Sequence, residues 1–222
     1  MSVLTLRARA LLLDMDGTLV HSTGEVETVW RLWCRRHRLD PEPVLAMCHG
    51  VRSREVIRTL APQLDLAPQL DLAQEVALLD DLEIHHTGQA EALAGARTLL
   101  ASLPVERWAL VTSASQRVVR HRLRSAGLPL PALLVGAEDV EHGKPDPEPY
   151  LLAAEHLGLA AADCLVFEDA PAGISSALRA GCRVVQVGGR QRLSPGISAL
   201  IQDWRQVSVV VEAEGLQLTL LT

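Results

Sequence analysis

The chain has 222 residues, 48% of them hydrophobic, and a formal net charge of −6. That length suits one large domain or a core with a smaller insert, with ample apolar material for a packed interior. The acidic balance argues against general electrostatic binding to nucleic acid or an anionic membrane, and no apolar run is long enough to span a bilayer or act as a secretory signal.

Taken in chain order, residues 9–13 (Arg-Ala-Leu-Leu-Leu) read as a buried strand that stops at Asp14. From about residue 22 the texture turns helical. Ser22 and Glu25 have capping-box spacing ahead of Val26, Val29, Trp30 and Trp33. Asp40-Pro41 opens a second helix with Gly50 past its end, and Ser53 is a candidate cap for a third running to Leu60. The stretch LAPQLDLAPQLDLA (60–73) repeats a six-residue unit, too short a period for a solenoid. After Gly88 helices and strands alternate. Helices are expected over 91–102, 115–126, from Pro147 to about Gly158, and over 172–180. Strands are expected over 107–111, 132–135, 164–167 and 183–187, with two more at 207–211 and 216–221. Such alternation predicts an α/β fold, a doubly wound parallel sheet covered on both faces. The helical block interrupts it directly after the first strand. Residues 21–87 are therefore expected to form a small inserted α-helical cap, and residues 1–20 and 88–222 the core.

Open α/β sheets bind ligands beyond the carboxyl ends of their strands, so the residues there carry the functional reading. The first strand ends in Asp14-Met15-Asp16-Gly17-Thr18, the strand at 107–111 in Thr112-Ser113-Ala114-Ser115, and the strand at 164–167 in Glu168-Asp169. Strand geometry sends residues two apart to one side, so Asp14 and Asp16 can aim at one point. An Asp-Gly turn closing a strand reads equally well from that stretch alone. A sharper signal is compositional: among 21 basic residues the chain has a single lysine, Lys144, in Gly143-Lys144-Pro145-Asp146-Pro147. Lysine is a compact point charge where arginine is a planar fork, so the two do not interchange at a tight site.

Together these types suit phosphoryl transfer. Asp14 can attack phosphorus, and Asp16 can protonate the leaving oxygen and then activate water. Asp14, Glu168 and Asp169 make a hard oxygen site suited to Mg²⁺. Thr112 offers a hydroxyl, and the amides of Ser113 and Ala114 lie at a helix N-terminus, a natural phosphate cradle. Lys144 can neutralise the nucleophile and a phosphoryl oxygen together. As ordinary structure, Thr112 and Ser115 would be helix caps and Glu168-Asp169 a capped turn. No GxGxxG follows the first strand, no Walker lysine is present, and Gly17 falls at the wrong position for an EF-hand. His85-His86 and the run Arg31, Arg35, Arg36, His37, Arg38 read as solvated side chains, and Trp30 and Trp33 as packing residues of the insert.

The order and spacing of Asp14-Met15-Asp16-Gly17-Thr18, Thr112, Gly143-Lys144-Pro145-Asp146-Pro147 and Phe167-Glu168-Asp169-Ala170-Pro171-Ala172-Gly173 resemble the haloacid dehalogenase superfamily of phosphohydrolases, over nearly the whole chain to about residue 190. The resemblance implies an aspartyl-phosphate on Asp14 and Mg²⁺ held by the Asp14 carboxylate, the Asp16 carbonyl and the Asp169 carboxylate, with Glu168 binding directly or through water. It places the insert where the sugar-phosphatase and mutase branch carries its helical cap. His49-Gly50-Val51-Arg52-Ser53 is similar to the cap loop that faces the active site, so Gly50 and Arg52 are expected to meet substrate.

The implied function is hydrolysis of small phosphorylated metabolites, sugar or polyol phosphates. A mutase of the β-phosphoglucomutase type shares the core. A silent sensor of phosphorylated ligands would be marked by loss of Asp14, Asp16, Lys144 or Asp169, all present here. A Schiff-base hydrolase would need a lysine in the cap, and a dehalogenase lacks the second acid. Cys34, Cys48, Cys164 and Cys182 are widely spaced, without a CxxC, which suggests free thiols in a reducing cytoplasm. The expected state is a monomer or weak dimer.

Overall fold

The computed structural model describes residues 2–64, 71–85, 88, 90–189 and 194–222. The centre of the repeated LAPQLD unit (65–70), His86 and the expected cap boundary at 87 lie outside them.

The buried run Ala10–Leu13 forms β2, the middle of a six-stranded parallel sheet. On one side of it stand β5 (Trp108–Val111) and β6 (Leu134–Val135); on the other stand β7 (Cys164–Glu168), β8 (Arg183–Val187) and β9 (Ala199–Ile201). The register sets Leu13 beside both Leu110 and Phe167, so β2, β5 and β7 end level with one another. Because the chain crosses first to one side of β2 and then to the other, their carboxyl ends bound a crevice.

Side chains along β2 alternate between two cores, as a strand buried on both faces requires. Leu11 and Leu13 pack with Leu99 and Leu100 of α5 (Ala96–Ser102) and Val119 and Leu123 of α6 (Gln116–Ser125). Ala10 and Leu12 pack with Tyr150 and Ala153 of α7 (Glu148–His156) and Ile174 and Ala177 of α8 (Pro171–Arg179).

Between β2 and α5 the chain leaves and re-enters the core through an antiparallel ribbon. In it β3 (Val20–His21) pairs with β4 (Glu91–Ala92). That pairing withdraws residues 91–95 from the helix expected over 91–102, which begins only at Ala96. Beyond the ribbon lie α1 (Thr23–His37), α2 (Glu42–Cys48), α3 (Ser53–Leu60) and α4 (Leu72–His85). They share an apolar core of their own, built on Val29, Trp30, Trp33, Val56, Ile57 and Leu79. Ser22 makes no side-chain cap bond to α1, and Arg52, not Ser53, holds the N-cap position of α3, so neither expected cap forms. By contrast, Ser115 does cap α6, accepting a hydrogen bond from the Val118 amide.

The tail builds a second, antiparallel sheet. Here β11 (Gly215–Leu221) lies between β1 (Val3–Ala8) and β10 (Val207–Glu212), pairing Val3 with Leu221 and Ala8 with Leu216. Its inner residues Leu216, Leu218 and Leu220 join the same core as Leu13. Among the described residues no helix is long and apolar enough to cross a membrane, and the four cysteines are buried free thiols.

Candidate active site

The loop after β2 turns back on itself: the Leu19 amide donates to the Met15 carbonyl and the Gly17 amide to Val20. Gly17 has φ +79°, and a Cβ there would lie 2.0 Å from an Asp169 oxygen, so only glycine lets the loop approach the end of β7 this closely.

Lys144 closes the site from the other side. Its buried Nζ donates to Asp14 Oδ1 at 2.7 Å, to Glu168 Oε1 at 2.8 Å and to the Val111 carbonyl at 3.0 Å. One ammonium thus joins the ends of β2, β5 and β7. Tyr150 donates its hydroxyl to Glu168 Oε1 at 3.2 Å, and the Ala170 amide donates to Glu168 Oε2. Gly173 leaves room for this carboxylate, since a Cβ would overlap Glu168 Oε1. Burial alone would weaken the lysine's hold on its proton, but Asp14 and Glu168 outweigh it and keep the ammonium charged above its ordinary range.

Acid outweighs base here. Burial, then the charges of Glu168, Asp14 and Asp16, push the Asp169 carboxyl up to about 9; burial and Glu168 raise Asp14 to about 7 against the pull of Lys144. Carboxylate oxygens of Asp14, Glu168 and Asp169 lie within 4.8 Å of one another. Asp169 Oδ1 is buried and has no hydrogen-bond partner among the described residues. An oxygen-only donor set with one orphaned oxygen and surplus negative charge fits a hard divalent cation such as Mg²⁺.

The expected phosphate segment lies opposite. Thr112 Oγ1 accepts the Ala114 amide at 3.2 Å, and Ser113 Oγ donates to the Gly50 carbonyl of the cap at 2.9 Å. Gly50 has φ +73°, and a Cβ there would meet Ala170 at 2.8 Å, so the cap loop presses on the start of α8. Between the helical insert and the core lies a cleft that opens to solvent, bounded by Asp14, Asp16, Thr112, Trp30, Asp80 and Glu83 among others. Arg52 also borders it, but its guanidinium is engaged elsewhere. Nη1 donates to the carbonyls of Ala137 and Val140, and Nη2 to Glu141 and the Glu55 carboxylate. Here Arg52 fastens the cap loop to the core rather than offering its charge to the cleft.

Asp16 has partners that sequence reasoning missed. Ser22 Oγ donates to its Oδ1 at 2.6 Å, and Arg122 Nη1 pairs with the same oxygen at 2.5 Å. Arg122 is buried, and its Nη2 donates to Glu83 Oε2 of α4 at 2.8 Å. The available signal was an arginine inside an apolar helical stripe, flanked by Val118, Val119 and Leu123.

Residues 8–181 match the model of the haloacid dehalogenase-like hydrolases, and the chain belongs to that family. Together with the four-segment site, this makes it a hydrolase of phosphoric monoesters. It is 41% identical over 215 residues to hexitol phosphatase A of Escherichia coli, covering 95% of this chain and 98% of that one. It is 31% identical over 195 residues to glycerol-1-phosphate phosphohydrolase 2 of Saccharomyces cerevisiae, covering 83% and 76%. In fold it is similar to a β-phosphoglucomutase from Clostridium difficile, with a TM-score of 0.74 at 21% identity over 90% and 92% of the chains.

Proposed function

We propose that the chain is a Mg²⁺-dependent phosphatase of small sugar or polyol phosphates, working through an aspartyl-phosphate on Asp14. The observation that carries this is the Lys144 ammonium, which ties Asp14 to Glu168 and to the end of β5 in a buried site. Asp14 attacks phosphorus while Asp16 protonates the departing oxygen, and Asp16 then takes a proton from the water that hydrolyses the acyl phosphate. Lys144 holds the nucleophile in place and offsets charge on the phosphoryl oxygens. Thr112 and the amides of Ser113 and Ala114 bind the remaining phosphoryl oxygens. The Asp14 and Asp169 carboxylates and the Asp16 carbonyl would hold Mg²⁺, with Glu168 bound directly or through water. The metal supplies charge neutralisation between the anionic nucleophile and the phosphate. The cap, led by the loop at Gly50 and Arg52, covers the leaving group and excludes water. The hexitol and glycerol phosphatases among its relatives support the substrate class, and the buried free thiols support a reducing cytoplasm.

The test is phosphate release from a panel of sugar and polyol phosphates with and without Mg²⁺, with glucose 1-phosphate isomerisation followed in parallel. Metal-dependent release is expected, and Asp14→Asn should lower kcat by about 10⁶-fold, on the scale of losing a nucleophile. Isomerisation without release would make the chain a mutase. Equal turnover by the Asn variant would rule out the covalent route.

A further inference from the structure

Buried Glu83 and Arg122 and half-buried Asp16 form a chain of ion pairs running from the cap to the catalytic loop. We infer that Arg122 is a positioning residue for Asp16 and that Glu83, carried by the cap, is the second anchor that sets it. This rests on the reading of Asp16 as the acid and base.

The geometry makes the case. Both partners of Asp16, Ser22 Oγ and Arg122 Nη1, fall on Oδ1. Two donors on one oxygen fix the carboxyl plane and leave Oδ2 to carry the proton in transit. A guanidinium on a long side chain needs two anchors to hold its plane, and its fork offers two donors at a fixed angle. Arg122 gives one amino group to Asp16 and the other to Glu83 Oε2 at 2.8 Å. These three residues come from different elements: Asp16 from the loop after β2, Arg122 from α6 of the core, Glu83 from α4 of the cap. Asp16 is thus fully oriented only while the cap is seated. When Asp14 Oδ bonds to phosphorus, the bond from phosphorus to the leaving oxygen breaks. Its electron pair stays on that oxygen, which takes the proton from Asp16 Oδ2.

A side chain that serves proton donation betrays itself in the leaving group. Departure of an alkoxide needs the proton, whereas nitrophenolate leaves without it. The measurement is therefore kcat/KM, which covers the steps up to leaving-group departure, for glycerol 1-phosphate and for p-nitrophenyl phosphate. We expect the ratio of the two to fall about 100-fold in Arg122→Met, within the range assigned to general acid catalysis, and about tenfold in Glu83→Gln. Arg122→Lys, with charge but no fork, should fall between them. Asp16→Asn provides the benchmark with the largest fall. A ratio unmoved in both Arg122→Lys and Glu83→Gln, with activity on the two esters lowered in parallel, would overturn the inference by showing a structural role only. If Asp16→Asn itself leaves the ratio unmoved, the acid assignment falls and Arg122 falls with it. Should Arg122→Met fail to fold, as judged by circular dichroism, the lysine and glutamine variants decide alone.

Discussion

The two aspartates of the catalytic loop sit two residues apart in very different company. Asp14 is served entirely by the core: its lysine, that lysine's other acceptors and the tyrosine behind them all come from elements packed on the parallel sheet. Asp16 is served across a boundary, by a core arginine that is itself held by a cap glutamate. On the proposed mechanism the nucleophile would depend on core residues alone, and the proton carrier on a contact that reaches into the helical insert. Seating of that insert would then govern proton transfer while leaving the nucleophile in place.

The largest effect should come from disturbing the core side. Lys144→Arg keeps the charge, yet the buried Nζ lies within 3.0 Å of three acceptors. A planar guanidinium does not fit that point. We expect kcat to fall by about 10²–10³-fold, the scale of losing one preorganised donor, with the fold intact by circular dichroism. An arginine variant near full activity would show the Asp14 side to be as adaptable as the cap side, and the comparison would break.

Much of the core side is legible in sequence, and the reason is local. Strand ends, a lone lysine and an acid pair are short-range patterns, and a parallel sheet brings them together by rule. Asp14, Thr112, Lys144, Glu168 and Asp169 do meet at the carboxyl ends of β2, β5 and β7. The crossing side is not legible, because its pairings span 39 residues between Glu83 and Arg122 and more between Arg122 and Asp16. Ser22 shows how a local pattern misleads: its spacing to Glu25 spells a helix cap, yet its hydroxyl goes to Asp16. Five strands of the core sheet follow from periodicity, whereas the three-residue β9 (Ala199–Ile201) is too short to show a pattern and is not among the expected strands. Likewise β1 pairs with β11 across the whole chain, and nothing local in Val3–Ala8 announces that partner.

A middling effect should follow from removing the cation, and it sharpens the electrostatic side of the contrast. Without metal, burial and neighbouring acids raise Asp169 to about 9 and Asp14 to about 7, above their unfolded values. A raised folded pKa contributes stability below the unfolded pKa of about 4 and loses it as pH climbs through the folded one. The metal-free protein should therefore melt at progressively lower temperature from pH 5 to pH 9. Mg²⁺ at a hundredfold excess over its Kd should add about 2.7 kcal/mol, or about 5–10 °C for a chain of this size. At one fixed Mg²⁺ concentration the gain should be larger at pH 8 than at pH 5, because binding competes with protons for the carboxylates. Identical melting curves in EDTA and in Mg²⁺ at pH 8 would remove the metal from the site.

The smallest effect tests how the tail supports the loop that both aspartates share. Trp204 is buried, packs its ring 4.7 Å from Phe167, and donates Nε1–H to the Thr18 carbonyl at 2.7 Å. Its own amide is held by the Ala94 carbonyl, and the close approach needs Gly95, where a Cβ would come within 2.7 Å of the Trp204 backbone. The segment beyond β9 thus buttresses the loop that follows β2. Trp204→Phe keeps much of the ring contact but leaves a buried carbonyl without its donor. That should cost about 1–3 kcal/mol, read as a lower midpoint in urea with an unchanged slope. Since the buttress holds Thr18 of the loop that carries both Asp14 and Asp16, the loss of kcat/KM should be similar for glycerol 1-phosphate and p-nitrophenyl phosphate. A selective loss on the alkyl ester would mean that Trp204 steers Asp16 as well, and that the two aspartates are less separately governed than their partners imply.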